Sequence, residues 1–186
     1  MPRWRASGAR GPRSRRGVAG CSRACLVAAE PRTARIGLIA DTHGLLRDEA
    51  LAALRGSDRI LHAGDIGDPR ILDALAAIAP VDAVRGNNDT APWAQRLPEA
   101  RQLEFGALTI HLLHDIKTLA AHPPPGPVQV IVAGHSHRPR IERREDGVLH
   151  VNPGSAGPRR FSLPVSVAIL HLGASGPTAS IVELGA

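Results

Sequence analysis

The 186-residue chain contains no tyrosine, two tryptophans, two phenylalanines and two cysteines. So few aromatic rings argue against a surface on which the bases of single-stranded nucleic acid stack. The two cysteines, Cys21 and Cys25, are too few for a disulfide framework. No apolar run approaches the roughly 18 residues that cross a bilayer, so we expect no membrane partner and a cytoplasmic location. The remaining composition, 43% hydrophobic and 22% charged, is that of an ordinary globular domain.

The net charge of +6 is concentrated at one end of the chain. Residues 1–35 hold nine arginines and one glutamate, a charge of +8, whereas the rest holds 14 basic and 16 acidic residues, a charge of −2. Residues 1–33 mix Arg, Gly, Ser, Pro and Ala without a helix or strand period, which predicts a disordered basic tail. We expect either a dispensable arm or a start-site artefact. The predicted domain, 34–186, does not indicate a nucleic-acid partner.

The first half of this domain alternates between strand and helix patterns. The apolar run 36–40 predicts a strand buried on both faces. Residues 48–55 are strong helix formers, with acidic residues at the start and Arg55 at the end. A strand near 59–62, a helix near 69–79 and a strand near 81–85 follow. This β-α-β-α-β order predicts a parallel sheet.

The second half contains more strands. Residues 102–105 and 107–113 flank Gly106 and predict a hairpin, which a helix near 115–121 and a strand near 128–133 follow. Two short strands, 139–144 and 148–152, surround an Asp-Gly turn. The last two strands are expected at 165–171 and 179–183. We therefore predict one α/β domain with two packed sheets.

Residues that carry chemistry follow five of the predicted strand ends. In open α/β sheets, ligands bind beyond the carboxyl ends of the strands. An Asp-Xaa-His or His-Xaa-His pair in extended chain places both side chains on one side. Carboxylates, an amide and imidazoles that converge on one spot repel one another or stay unsatisfied, unless divalent cations lie between them. The residues at the five ends are Asp41 and His43, Asp65, Asn87 to Asp89, His114 and Asp115, and His135 and His137.

This set and order resemble the calcineurin-like metallophosphoesterases, especially the small phosphodiesterases of the YfcE type. The motifs are Asp41-Xaa-His43, Gly64-Asp65, Gly86-Asn87-Xaa-Asp89, His114 and Gly134-His135-Xaa-His137, followed by 152–155 (Asn-Pro-Gly-Ser). The resemblance covers essentially all of 35–186. It implies a two-sheet β-sandwich flanked by helices, which agrees with the strand and helix patterns.

The resemblance also implies a role for each motif residue. One metal ion would be held by Asp41, His43 and His137, a second by Asn87, His114 and His135, and Asp65 would bridge the two. The implied nucleophile is a metal-bound hydroxide, not a side chain. Asn88 stands where many relatives have a histidine that protonates the leaving group, so we expect it to bind substrate without donating a proton.

Two positions leave alternatives open. His111 lies three residues before His114, but it falls inside a predicted strand, so His114 is the preferred ligand. Asp115 stands where the resembled family usually has glycine. It is expected either to cap the following helix, which we favour, or to support a ligand from behind.

The function predicted from these residues is metal-dependent phosphodiester hydrolysis. The alternatives are a non-catalytic binding scaffold of the same fold, like the retromer subunit, and a phosphomonoesterase or protein phosphatase. Oxygen and nitrogen ligands suit Mn, which we predict, as well as Fe, Zn, Ni and Co, and they exclude a thiolate site. The expected partner is a small phosphoester, and homo-oligomerisation stays open.

Overall fold

The computed structural model describes residues 34–160, 162–173 and 175–185, and the predicted tail lies outside these residues. Within them the chain forms ten β-strands, two α-helices and two short 3-10 turns. The elements are β1 (Ala34–Ile39), α1 (Asp48–Leu54), β2 (Arg59–His62), α2 (Pro69–Ala76), β3 (Val81–Ala83), β4 (Ala100–Phe105), β5 (Leu108–Leu113), β6 (Val130–Val132), β7 (Arg140–Arg143), β8 (Leu149–Asn152), β9 (Ser166–Gly173) and β10 (Gly176–Glu183). The 3-10 turns are Pro92–Arg96 and Ile116–Thr118.

The strands form two five-stranded sheets. Sheet A has the order β10-β9-β1-β2-β3, in which β1, β2 and β3 run parallel and β9 and β10 add an antiparallel hairpin. Sheet B has the order β4-β5-β6-β8-β7, in which β5, β6 and β8 run parallel and the two edge strands run antiparallel. The two-sheet α/β architecture predicted from the sequence is confirmed.

The main core lies between the two sheets, because alternate residues of each strand face inward. In β1, Ile36 and Leu38 pack into this core, whereas Ile39 faces the other way, toward α1 and α2. Gly37 also faces α1, where a β-carbon would meet a methyl group of Leu54 at 2.6 Å. The helix therefore packs closely on the sheet. A smaller apolar cluster covers the outer face of sheet B.

Three helical segments differ from the sequence prediction. The predicted helix 69–79 ends at Ala76, because Pro80 disfavours helical geometry at the residue before it and the chain turns ahead of that point. The predicted helix 115–121 is reduced to the single 3-10 turn Ile116–Thr118. The 3-10 turn Pro92–Arg96 was not predicted, since five residues are too few to show a helical period.

A buried aspartate with two partly exposed arginines joins the two sheets at their edge. The Asp82 carboxylate of β3 is 3% exposed, accepts a hydrogen bond from Arg59 of β2 and forms an ion pair with Arg101 of β4 at 2.9 Å. Both arginines are partly exposed, so their charges keep contact with water. Of the three side chains, only that of Asp82 is buried.

No helix in the described ranges is long and apolar enough to cross a lipid bilayer.

Replacing Asp82 with alanine should lower the free energy of unfolding by about 1–3 kcal/mol, because hydrogen bonds to charged groups contribute on that scale. Urea denaturation measures the change. The control is Glu104→Gln, which alters an exposed carboxylate on β4 and should leave stability within about 0.5 kcal/mol of the parent. An Asp82→Ala protein as stable as that control would show that the ion pair does not hold the sheets together.

Candidate metal centre

The carboxyl ends of parallel strands from both sheets meet at one edge of the sandwich. The segments after β1 and β2 are joined there by backbone hydrogen bonds from Asp41 N to Gly64 O at 3.0 Å and from His43 N to Asp65 O at 2.9 Å. In sheet B, Gly134 N donates to His114 O at 2.9 Å and joins the segments after β5 and β6. The fold therefore brings the predicted site residues together, although they come from five separate segments.

Five of these residues have a left-handed backbone. Among the described residues, the non-glycine positions with positive φ are Asp41, His43, Asp65, His135 and His137, with φ between 45° and 67°. This conformation costs on the order of 1–2 kcal/mol for a residue with a β-carbon. Strained backbone clusters where the surrounding structure holds a functional geometry. The same five residues were selected from the sequence as metal ligands.

The first half of the site consists of Asp41, His43 and His137. The Nε2 atoms of the two histidines lie 3.3 Å apart, and the Asp41 Oδ1 atom lies 3.3 Å from His137 Nε2 and 3.9 Å from His43 Nε2. Asp41 is fully buried, and its Oδ2 accepts a hydrogen bond from His135 N at 3.0 Å. The carboxylate is thus held with Oδ1 directed at both imidazoles.

The second half consists of Asn87, His114 and His135. The Asn87 Oδ1 atom lies 3.0 Å from both His114 Nε2 and His135 Nδ1. His114 Nδ1 lies 2.7 Å from the carbonyl oxygen of Ala63, and because a carbonyl only accepts, Nδ1 carries the proton. When His114 is neutral, its Nε2 lone pair therefore faces the site, which is the state a metal ligand needs.

Asp65 lies between the two halves. Its Oδ2 atom is 3.8 Å from His43 Nε2 and 3.5 Å from His114 Nε2. Asn88 fixes the carboxylate, since its backbone N donates to Oδ1 at 2.8 Å and its Nδ2 donates to Oδ2 at 2.6 Å. Burial opposes ionisation, but the nearby His114 imidazole and the hydrogen bonds from Asn88 outweigh it and hold the pKa of Asp65 well below its usual range.

The site has more acceptor atoms than its own protons satisfy. Asp41 Oδ1 is buried without a hydrogen-bond partner. Although burial favours the neutral imidazole, the Asp65 carboxylate raises the pKa of His114, so the cluster attracts positive charge. Two sets of three side chains each bring their ligand atoms within 4.8 Å of one another. One set is Asp41, His43 and His137, and the other is Asp41, Asp65 and His114. These residues fit divalent cations with oxygen and nitrogen ligands.

Asp89 holds the two loops that carry Asp65 and Asn87. It is buried, and its carboxylate accepts hydrogen bonds from the backbone N of Ile66 at 3.1 Å, Gly67 at 2.9 Å and Gly86 at 2.9 Å. A β-carbon at Gly86 would overlap Asp65, so glycine is required there. The sequence showed Asp89 within a motif, but it did not reveal these partners, because two of them lie more than 20 residues earlier.

The segment 152–155 supports the site from behind. Asn152 Nδ2 donates to Gly134 O at 2.7 Å and orients the loop that carries His135 and His137. Ser155 is buried, and its Oγ donates to Asp41 O at 2.9 Å. The hydroxyl is thus occupied by the backbone and is not placed as a nucleophile.

The structure shows the surroundings of His111, His114 and Asp115, whose roles the sequence left open. His114 faces the site, whereas His111 Nε2 lies 2.9 Å from the carbonyl oxygen of His122. Asp115 accepts a hydrogen bond from Lys117 N at 3.0 Å and so caps the 3-10 turn, while its Oδ2 lies 3.6 Å from His135 Nε2. The geometry therefore agrees both with a cap of the following turn and with support of His135 by the Asp115 carboxylate.

The fold is a two-sheet α/β domain, and its site is a cluster of residues that could hold divalent cations. A model of the calcineurin-like phosphoesterase superfamily domain matches residues 35–175. A probable metallophosphoesterase of Methanothermobacter thermautotrophicus is 34% identical over 163 residues, which cover 81% of this chain and 93% of that protein. The chain belongs to the calcineurin-like phosphoesterase superfamily, and the resemblance stated from the motifs is confirmed.

Solved structures share the fold. An archaeal phosphodiesterase superposes with a TM-score of 0.66 at 20% identity, covering 80% of this chain and 99% of that one. YfcE, a phosphoesterase from E. coli, gives a TM-score of 0.58 at 23% identity over 81% and 100% of the two chains. Vps29 of Entamoeba histolytica, solved with zinc, gives 0.61 at 21% identity over 81% and 99%.

His62 lies beneath the site and is completely buried. Thr42 Oγ1 donates to Ile66 O at 2.9 Å, so in its 3.0 Å contact with His62 Nε2 the imidazole must be the donor. His62 Nδ1 then has no partner, and a second proton there would be a buried, unsatisfied charge. Burial accordingly lowers the pKa of His62 to about 3.

This histidine should make the fold less stable in acid. The unfolded chain takes up a proton near pH 6.5 and the folded chain only near pH 3, so stability is present above pH 6.5 and is lost as the pH falls below it. His62→Gln keeps a donor toward Thr42 but does not titrate. Between pH 7 and 5, the parent should lose about 2 kcal/mol relative to the variant, measured by urea unfolding with a chelator present. A pH-independent difference would show that the pKa of His62 is the same in the folded and unfolded chain.

Proposed function

We propose that the protein is a metal-dependent phosphodiesterase with a dinuclear centre. One ion is assigned to Asp41, His43 and His137, the other to Asn87, His114 and His135, and Asp65 is assigned to both. Oxygen and nitrogen ligands of this kind accept several first-row metals, and manganese is the ion we propose.

The observation that carries the proposal is the position of the Asp65 Oδ2 atom. It lies 3.8 Å from a histidine nitrogen of the first half and 3.5 Å from one of the second. Single-metal sites do not need a carboxylate between two sets of ligands, whereas two-metal sites place ions about 3.5–4 Å apart across such a group. Asn88 donates two hydrogen bonds to Asp65 and keeps it in this orientation.

Divalent ions in such a site acidify water and neutralise charge on phosphoryl oxygens. The chain's own residues hold the arrangement rigid. His114 keeps its proton on Nδ1 through the Ala63 carbonyl, and its free nitrogen stays in the site. Asp41 is fixed by the backbone of His135 and supported by Ser155. No hydroxyl of this supporting set is free to attack phosphorus, which agrees with a mechanism without a covalent intermediate.

A diester is preferred as the substrate for two reasons. One structural neighbour is described as an archaeal phosphodiesterase. In addition, Asn88 occupies the place at which many relatives have a histidine for protonating the leaving group. Asn88 is exposed beside Asp65 and can donate a hydrogen bond to a phosphoryl oxygen, but its amide cannot release a proton at neutral pH.

The likeness to Vps29 favours a second candidate, a binding scaffold without catalysis. A scaffold does not need all seven ligand positions filled by competent residues, and here each is a carboxylate, an amide or an imidazole. Metal analysis together with turnover of a phosphodiester panel separates the two. Absence of turnover with every added ion would support the scaffold.

Asp65→Asn should lose more metal than a change at any other proposed ligand, because this carboxylate serves both ions. We expect loss of at least one ion per chain and a fall in kcat of more than 100-fold, while circular dichroism stays unchanged. Metal content is measured by plasma mass spectrometry after dialysis. Asp73→Asn, on the exposed surface of α2, is the control and should keep both metals and activity. Two ions per chain in Asp65→Asn would disprove the bridging role.

The rate should depend steeply on the leaving group. Neither Asn88 nor the buried, neutral His62 provides a proton, and such general-acid help is typically worth about 10²–10⁴-fold. In a series of substituted phenyl diesters, kcat should therefore fall as the pKa of the phenol rises, and simple alkyl monoesters should react slowly. Asn88→His should flatten the slope. A rate that is indifferent to the phenol, with chemistry rate-limiting, would reveal another acid.

A further inference from the structure

An open cavity of about 520 Å³ adjoins the second half of the site. Asn87, His114 and His135 form its inner wall, so a group that enters it reaches the proposed metal positions directly. The opposite wall comes from the chain around the Pro92–Arg96 turn, and Asp115 and Thr118 close one side. The cavity is therefore placed to hold the part of a substrate that is attached to the phosphoryl group.

The described residues that line the cavity are all charged, polar or glycine, and among them there is no aliphatic side chain, tryptophan or phenylalanine. Binding pockets for acyl chains or stacked bases are lined mainly by apolar and aromatic groups. This wall does not offer such surface, so a hydrophilic group fits it better.

Two carboxylates of this wall, Glu99 and Asp115, can accept further hydrogen bonds. The one guanidinium among the described lining residues, Arg85, is already engaged, with Nη1 2.6 Å from Gln95 Oε1 and Nη2 bonded to Glu99 Oε1. Glu99 Oε2 lies 3.2 Å from His122 Nε2, and Asp115 Oδ2 lies 3.6 Å from His135 Nε2. Each carboxylate has about four acceptor positions, so Glu99 and Asp115 keep lone pairs that can face a ligand.

From this cavity we infer that the substrate carries an uncharged alcohol group rich in hydroxyls, held by the Glu99 and Asp115 carboxylates. This inference rests on the proposed phosphodiesterase function and adds a substrate class to it. Hydroxyls donate to carboxylates, which matches the surplus of acceptors. A second phosphate would meet the two carboxylates while the only guanidinium stays paired, and this arrangement acts against dinucleoside polyphosphates.

The test compares two ligands that differ only in hydroxyls, sn-glycerol 3-phosphate and propyl phosphate. Both are measured as competitive inhibitors of bis(4-nitrophenyl) phosphate hydrolysis by the manganese-loaded protein, and their binding is confirmed by calorimetry. Glycerol phosphate should bind about fivefold more tightly, a modest ratio because Glu99 is 53% exposed and water competes for it. Glu99→Gln should lower the ratio, because Asp115 is then the one proposed carboxylate left, whereas Glu104→Gln, outside the cavity, should keep it.

Two results would overturn the inference while the proposed function stands. One is bis(4-nitrophenyl) phosphate hydrolysis with equal or tighter binding of propyl phosphate. The other is a ratio that Glu99→Gln leaves unchanged. Failure to hydrolyse the diester with any metal would instead overturn the proposed function and, with it, the substrate class.

Discussion

The position of the Asp65 carboxylate is the constraint on which the site depends. A buried carboxylate is costly unless it is hydrogen-bonded and balanced by positive charge. Asn88 provides the hydrogen bonds, and the histidines of both halves surround Oδ2 without providing enough protons for all acceptors. The unpartnered Oδ1 of Asp41 adds to the same deficit. Divalent cations would resolve it, and this is the physical reason for the proposed metal site.

This arrangement costs backbone strain, and the surrounding loops offset it. Five site residues adopt left-handed φ values. Their loops are joined by Asp89, whose carboxylate satisfies three backbone N–H groups, and by Asn152, whose amide holds the loop after β6. These are buried hydrogen bonds whose loss would leave unsatisfied groups, so they are strong restraints. These hydrogen bonds hold the candidate ligands in place.

The two sheets contribute different numbers of residues to the candidate site. Sheet A contributes Asp41, His43, Asp65 and Asn87 after its parallel strands, and sheet B contributes His114, His135 and His137. Neither sheet alone provides both halves of the site. The apolar core between them and the Asp82 ion pair at their edge therefore fix the distance between ligands as well as the stability of the fold.

The sequence alone determined the strand and helix order, the two-sheet class and the residue types at the strand ends. These depend on short-range periodicity and on motifs such as Asp41-Xaa-His43, and local order fixes both. Short elements were less predictable, because the 3-10 turns at 92–96 and 116–118 contain less than two turns of helix. The local sequence pattern also did not predict that β9 pairs antiparallel with β1 and β10 with β9.

Only the tertiary structure decided which groups meet. The strand pattern had favoured His114 over His111, but only the structure shows their partners, Asp65 for His114 and the carbonyl of His122 for His111. The tertiary structure paired Asn88 with Asp65 across 23 residues and assembled a polar cavity from three separate segments. Side-chain contacts of this kind follow from how loops of distant segments pack, and the energy of each contact depends on its burial. A residue's sequence neighbours do not contain that information.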